Sequence, residues 1–260
     1  MKELSSIALV LLSLYLMASI FLYFYQRKML YFPVPVDPAF KAEEILLKNQ
    51  GVTLHGWVLN PGRQKGMIYF GGNSETITHN SEWFQSAFSD YSIYLFNYRG
   101  YGNSEGKPTE QGLLSDALAI YDHLQDKHDS LSAYGRSLGS GPAAYLASQR
   151  TLERLILLTP YDSVANVAQK LYPIFPVKLL IKDRFDSASV ADKIKIPVLL
   201  VTAQNDKEIP LSFSLALKQS LVNADVHYLM IEGAAHNDII EYPRFLTGVS
   251  EFVRGKTDLN

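Results

Sequence analysis

"AYGRSLGSGPAAY" (residues 133–145) sets one serine, Ser137, between two glycines in the pattern G-x-S-x-G. Two readings compete. Either Ser137 is a nucleophile on a strained turn, or the stretch is a Gly/Ser-rich connection. A nucleophile elbow needs a strand directly before the serine and a helix directly after it, with glycines that let neighbouring chain come close. "SLSAY" (130–134) reads as the strand, and "LGSGPAAYLASQ" (138–149) as a helix start rich in small residues. The pattern recurs at Gly102-Asn103-Ser104-Glu105-Gly106, but there Arg99-Gly100-Tyr101-Gly102 precedes it and Lys107-Pro108 follows. Ser104 lacks both flanking elements and reads as a turn residue.

Outward from this stretch, strand-like and helix-like segments alternate. "GMIYF" (66–70), "YSIYLFNY" (91–98), "RLILLT" (154–159), "IPVLLVT" (196–202) and "DVHYLMI" (225–231) read as strands. The more continuous apolar runs among them suit parallel strands covered on both faces. "LLSDALAIYDHL" (113–124) places Leu114, Ala117, Leu118, Tyr121 and Leu124 on one helical face, and helices are also expected over 211–221 and 238–254. Residues 41–62 read as a hairpin turning at Asn49-Gln50-Gly51. The fold class is therefore α/β, a mostly parallel sheet with helices on both faces. Such sheets bind ligands beyond the carboxyl ends of their strands. Residues 160–195 are irregular and suggest a small cap, leaving Ser137 near open water. Its apolar residues Leu171, Tyr172, Ile174, Phe175, Val177 and Leu179 either join the core or line the site.

A serine hydroxyl needs a base, and the base needs an orienting carboxylate. Of six histidines, His236 lies in "EGAAHND", a small-residue loop after the last strand. His55, His79, His123, His128 and His227 read as surface or packing residues. The acid is expected between Ser137 and His236 in chain order. "VTAQNDKEIP" offers Asp206 and Glu208. Asp206 comes sooner after its strand and is the choice, while Glu208 is expected to serve the next helix's N-terminus. One oxyanion donor is the Leu138 N–H. The other is assigned to the Asn73 N–H in Gly71-Gly72-Asn73-Ser74, with Gly72, Ser74 and a plain tight turn as alternatives.

Other chemistries lack support. "GNSEGKP" (102–108) is one residue short of a phosphate loop, and H-E-x-x-H is absent. No cofactor and no metal are inferred. A balance of 24 Lys+Arg against 26 Asp+Glu, without a basic cluster, argues against nucleic acid. With no cysteine, thiol nucleophiles and disulfides are excluded.

"SIALVLLSLYLMASIFLYFY" (6–25) carries no charge. About 20 residues at 1.5 Å each span a bilayer core. No clean cleavage site follows, so an uncleaved single-pass signal-anchor over 1–28 is expected, with one α/β domain at 29–260. Tyr23, Phe24, Tyr25, Tyr31 and Phe32 fit an interfacial belt. Lys2 flanks one end and Arg27 and Lys28 the other, too even a count to assign a side. The site candidates all lie beyond residue 70, so the segment is expected to anchor only. Its removal should leave a folded, active domain.

Together "MIYFGGNSE", "FNYRGYGNSEGKPTEQGLLSDA", "AYGRSLGSGPAAYLAS", "TPYDS", "IPVLLVTAQNDKEIP" and "GAAHND" carry a family likeness. The chain resembles the α/β-hydrolase superfamily over nearly all of its length beyond the N-terminal segment. Within it, the chain is similar to the membrane-anchored single-domain serine hydrolases related to eukaryotic α/β-hydrolase-domain proteins, some of which are protein depalmitoylases, and to serine aminopeptidase-like hydrolases. The resemblance implies nucleophile Ser137, acid Asp206 and base His236. It also implies His-Gly-Asn after the first long strand, where this chain has Gly71 for the histidine. Backbone donors do not need that side chain, so the hole is expected to survive. The expected activity is hydrolysis of esters or thioesters of a small or lipid-borne acyl substrate. A peptidase of the same fold and a catalytically silent binding protein are the alternatives.

Overall fold

The computed structural model describes residues 2–256. Helix α1 (Lys2–Leu30) leads into the hairpin β1 (Glu43–Asn49) and β2 (Val52–Leu59). There follow β3 (Lys65–Phe70), α2 (Ser81–Ala87), β4 (Tyr91–Phe96), α3 (Glu110–Leu124), β5 (Ser130–Arg136), α4 (Ser140–Gln149) and β6 (Leu155–Leu158). Helices α5 (Val164–Leu171) and α6 (Val177–Leu180) form the cap, and β7 (Pro197–Ala203), α7 (Leu211–Ser220), β8 (Asp225–Ile231) and α8 (Pro243–Val253) complete the chain. The strands form one sheet in the order β1-β2-β4-β3-β5-β6-β7-β8. The pairs β1–β2 and β2–β4 are antiparallel and the others parallel.

Side-chain alternation divides the apolar residues between two cores. On β3, Ile68 and Phe70 join a core with Leu113 and Ala117 of α3, Leu146 of α4 and Leu217 of α7. Met67 and Tyr69 face Phe84 of α2 and Phe245 and Phe252 of α8. Full burial of each such side chain stabilises the fold by about 1.5–3 kcal/mol. The last helix begins at Pro243 rather than 238, because proline is favoured in the first helical turn, where its missing N–H costs nothing. The short α2 lay hidden in a segment without marked periodicity.

Ser104 is the turn residue the sequence suggested. Its buried hydroxyl donates to the Asn97 carbonyl and accepts from the His55 amide, both at 2.9 Å. That ties the loop after β4 to β2.

Helix α1 contains a stretch, Ser5–Leu30, long and apolar enough to cross a membrane by length and composition. It runs two residues past the expected boundary at 28. Contrary to a purely anchoring role, its second half packs on the domain. Tyr15, Ala18, Ser19, Leu22, Gln26 and Leu30 are half-buried at helical spacing and form one stripe. The Tyr15 hydroxyl donates to the Ile174 carbonyl (3.0 Å), and its ring stacks on Phe175. Gln26 donates to the Leu180 carbonyl (3.2 Å) and accepts from the Lys182 amide (2.6 Å). Arg27 pairs with the buried Asp183 through bonds of 2.8 and 3.1 Å. The cap divides the two expected readings of its apolar residues. Leu171, Ile174 and Leu179 are 63%, 72% and 84% exposed and belong to no core, while Leu171, Tyr172, Phe175 and Val177 line a cavity that also borders Ser137.

Candidate active site

Ser137 follows β5 with φ of 50°, in the left-handed region that side chains other than glycine avoid. The flanking glycines are steric necessities. A Cβ at Gly135 would collide with the Gly139 carbonyl, and one at Gly139 with the Phe70 carbonyl. The turn is braced by Ser140, whose hydroxyl donates to the Ser137 carbonyl (2.7 Å), and by buried Tyr161, which donates to the Leu138 carbonyl (2.9 Å).

The loops after β7 and β8 bring Asp206 and His236 to the same end of the sheet. The Asn205 amide donates to the Ala234 carbonyl (2.8 Å), clasping the two loops. Asp206 Oδ1 accepts from the Glu208 and Ile209 amides (3.0 and 2.8 Å), which aims Oδ2 at His236 Nδ1, 2.7 Å away. His236 Nε2 stands 3.0 Å from Ser137 Oγ. Both the aspartate and the histidine side chains are buried. A carboxylate beside Nδ1 fixes the proton there and leaves the Nε2 lone pair facing the serine hydroxyl.

Glu208 does not serve the next helix. It is exposed, its Oε1 accepts from Asn237 (2.7 Å), and its Oε2 lies 3.6 Å from His236 Nε2. His79, read from the sequence as a packing or surface residue, borders the polar side of the site.

The loop after β3 approaches Ser137 closely, since a Cβ on Gly72 would sit 3.7 Å from the Ser137 Cβ. The Gly72 amide donates to Glu75 (2.6 Å), which removes it from the choice of oxyanion donors. Asn73 follows and borders the same cavities as Ser137. A histidine at position 71 has no room, because a Cβ there would lie 2.7 Å from Ile77. Glu75 braces this loop. It accepts from the Tyr69 hydroxyl (2.6 Å) and pairs with half-buried Arg136 (3.3 Å), while Tyr98 donates to the Gly71 carbonyl (2.7 Å). Burial pushes the Tyr69 hydroxyl well above its ordinary range, so it stays a donor. Sequence reasoning missed this Glu75–Arg136 brace, although Glu75 three residues past a glycine pair was a signal.

Two cavities meet at Ser137. One, about 270 Å³, is mainly apolar and lies between α1 and the cap, with Leu22, Met29, Leu138, Val164, Ala168 and Phe175 among its walls. The other, about 620 Å³, is polar and bordered by Glu75, Arg136, Glu208, His236 and Asn237. Among the described residues, no group of three or more His, Cys, Asp or Glu is arranged to hold a metal ion.

No family model matches the chain. It is 30% identical over 243 residues to an uncharacterized protein of Mycobacterium tuberculosis, covering 88% of this chain and 85% of that one. It is 30% identical over 202 residues to alpha/beta hydrolase domain-containing protein 17C of Xenopus laevis, covering 75% of this chain and 63% of that protein. The fold is similar to that of the Pyrococcus furiosus esterase Pf2001, with a TM-score of 0.69, 18% identity and coverage of 86% and 96% of the two chains.

Proposed function

Since the chain has the α/β-hydrolase fold and is similar to an alpha/beta hydrolase domain-containing protein, we propose that it is a serine hydrolase of carboxylic esters or thioesters, held at a membrane by α1. The proposal includes an anchor over residues 1–28 and a hydrolase domain over 29–260. The supporting observation is the continuous chain from Asp206 through His236 to Ser137, at 2.7 and 3.0 Å.

Ser137 Oγ attacks the substrate carbonyl as its proton passes to His236 Nε2. Asp206 stabilises the imidazolium through Nδ1–H. The tetrahedral oxyanion takes hydrogen bonds from the Leu138 and Asn73 amides. Its collapse breaks the bond to the leaving alcohol or thiol, which departs with the proton from Nε2. Water then attacks the acyl-enzyme by the same route, giving the acid and free Ser137. The acyl group occupies the apolar cavity, and the leaving group and incoming water the polar one. The path needs no cofactor.

The test is labelling of the full chain by a fluorophosphonate, with the modified peptide located by mass spectrometry. Modification of Ser137, together with turnover of an ester or thioester, is the expected result. Turnover confined to peptide amides would replace this reading with a peptidase.

A further inference from the structure

We propose that α1 is a wall of the substrate site, and that the site takes the acyl chain of a single-chain lipid ester drawn from the bilayer along this helix. The inference rests on the hydrolase reading above and adds the substrate class and its route.

The apolar cavity reaches Ser137 and is bordered on one side by α1, through Ser19, Leu22, Tyr23, Gln26, Met29 and Leu30. Val164, Ala168, Leu171 and Phe175 of the cap close the other side. Residues 19–30 extend about 16 Å at the helical rise, room for a chain of roughly a dozen carbons. One such chain suits a cavity of about 270 Å³ better than the paired chains of a diacyl lipid.

The contacts of α1 also fix where this cavity lies. Tyr15, which touches Ile174 and Phe175, is about 18 Å along the helix from Arg27. With Arg27 and Lys28 at the interface, Tyr15 lies in the hydrocarbon layer, and the cap tip that it holds lies there with it. The exposed Leu171, Ile174 and Leu179 are then surfaces for lipid rather than water. Near Arg27, Lys182 stacks over the Tyr23 ring at 4.1 Å, a cation and an aromatic ring at the level expected of headgroups. The cavity thus runs from the acyl layer to the nucleophile without crossing water.

Full-length protein in phospholipid nanodiscs tests this with ethyl and dodecyl fluorophosphonates, read as rates of Ser137 modification. The dodecyl reagent should react faster with wild type. Leu22→Trp, which fills the cavity from α1, should lower the dodecyl-to-ethyl ratio about tenfold or more. Phe24→Trp, at nearly the same depth outside the cavity, should not. A chain without cysteine allows a second readout that tolerates misfolding of the Trp variant. In Leu22→Cys, prior reaction of Ser137 with the dodecyl but not the ethyl reagent should slow alkylation of the thiol about tenfold, and in Phe24→Cys it should not. Ser137 modification with equal ratios in both Trp variants, or with no protection of the thiol at position 22, would overturn the α1 wall and leave the hydrolase reading standing. Failure of both reagents to modify Ser137 would overturn both.

Discussion

The two cavities that share Ser137 are built in opposite ways. The polar one is framed largely by short loops beyond the carboxyl ends of β3, β5, β7 and β8, each held by backbone and carboxylate hydrogen bonds. The apolar one is framed by helix α1 and the cap, which lie far apart in sequence and meet only through tertiary packing. On the first side, charge and donors are fixed in place. On the second, the walls are mainly apolar and supply shape. In the proposed reaction, the bond broken at Ser137 sits on a boundary between the two, with proton transfer and water on one side and the acyl chain on the other.

The variant with the largest expected effect removes the point the cavities share. Ser137→Ala should abolish fluorophosphonate labelling and lower kcat/KM by roughly four or more decades, measured against an unchanged thermal transition. Next is the polar side. Asp206→Asn should cost about 10⁴-fold in kcat, because it favours the wrong imidazole tautomer. Glu208→Gln, whose partners are Asn237 and the edge of the imidazole, should cost far less. Equal losses at the two positions would reopen the choice of acid.

Glu75→Gln isolates the brace beneath the loop after β3. It leaves half-buried Arg136 without its carboxylate and weakens the bond to the Gly72 amide. A fall of about 10–100-fold in kcat with a smaller change in KM would mark a positioning residue. The apolar side should answer differently. Arg27→Ala leaves Asp183 buried with the Glu110 amide as its remaining bonded partner, so it should destabilise by about 1–3 kcal/mol, discounted for the half-exposed arginine. The check is a lowered thermal midpoint together with a weaker preference for long acyl chains. Deletion of residues 1–28 should act in the same direction, reversing the expectation that this segment is dispensable. The smallest effect on turnover is expected at Ser104→Ala, which loosens the loop after β4 and should leave the triad geometry in place.

Much of the fold could be read from the sequence, because parallel strands advertise themselves as apolar runs and turns as glycines. The elbow was legible for the same reason. Ser137 and Ser104 share one pattern, and only the neighbouring strand and helix told them apart. Asp206 and His236 were found through their places after the last two strands. The apolar cavity was illegible. Helix α1 is apolar all round, so its sequence carries no stripe to reveal which face packs, and its contacts with Ile174 and Asp183 span more than 150 positions. Cap residues such as Leu171 and Phe175 were likewise ambiguous, since a core, a site and a lipid-facing surface all ask for the same side chains. Gly71 read only as a departure from the His-Gly-Asn that the resemblance implies. The steric contact with Ile77 and the brace from Glu75 emerge only in three dimensions.

The most direct measurement is an experimental structure of the full chain after reaction with dodecyl fluorophosphonate. The account predicts phosphorus bonded to Ser137 Oγ and its oxygen within hydrogen-bond reach of the Leu138 and Asn73 amides. The alkyl chain should lie between α1 and the cap. An adduct on another residue, or a chain lying in the polar cavity beside Glu75 and Glu208, would contradict it.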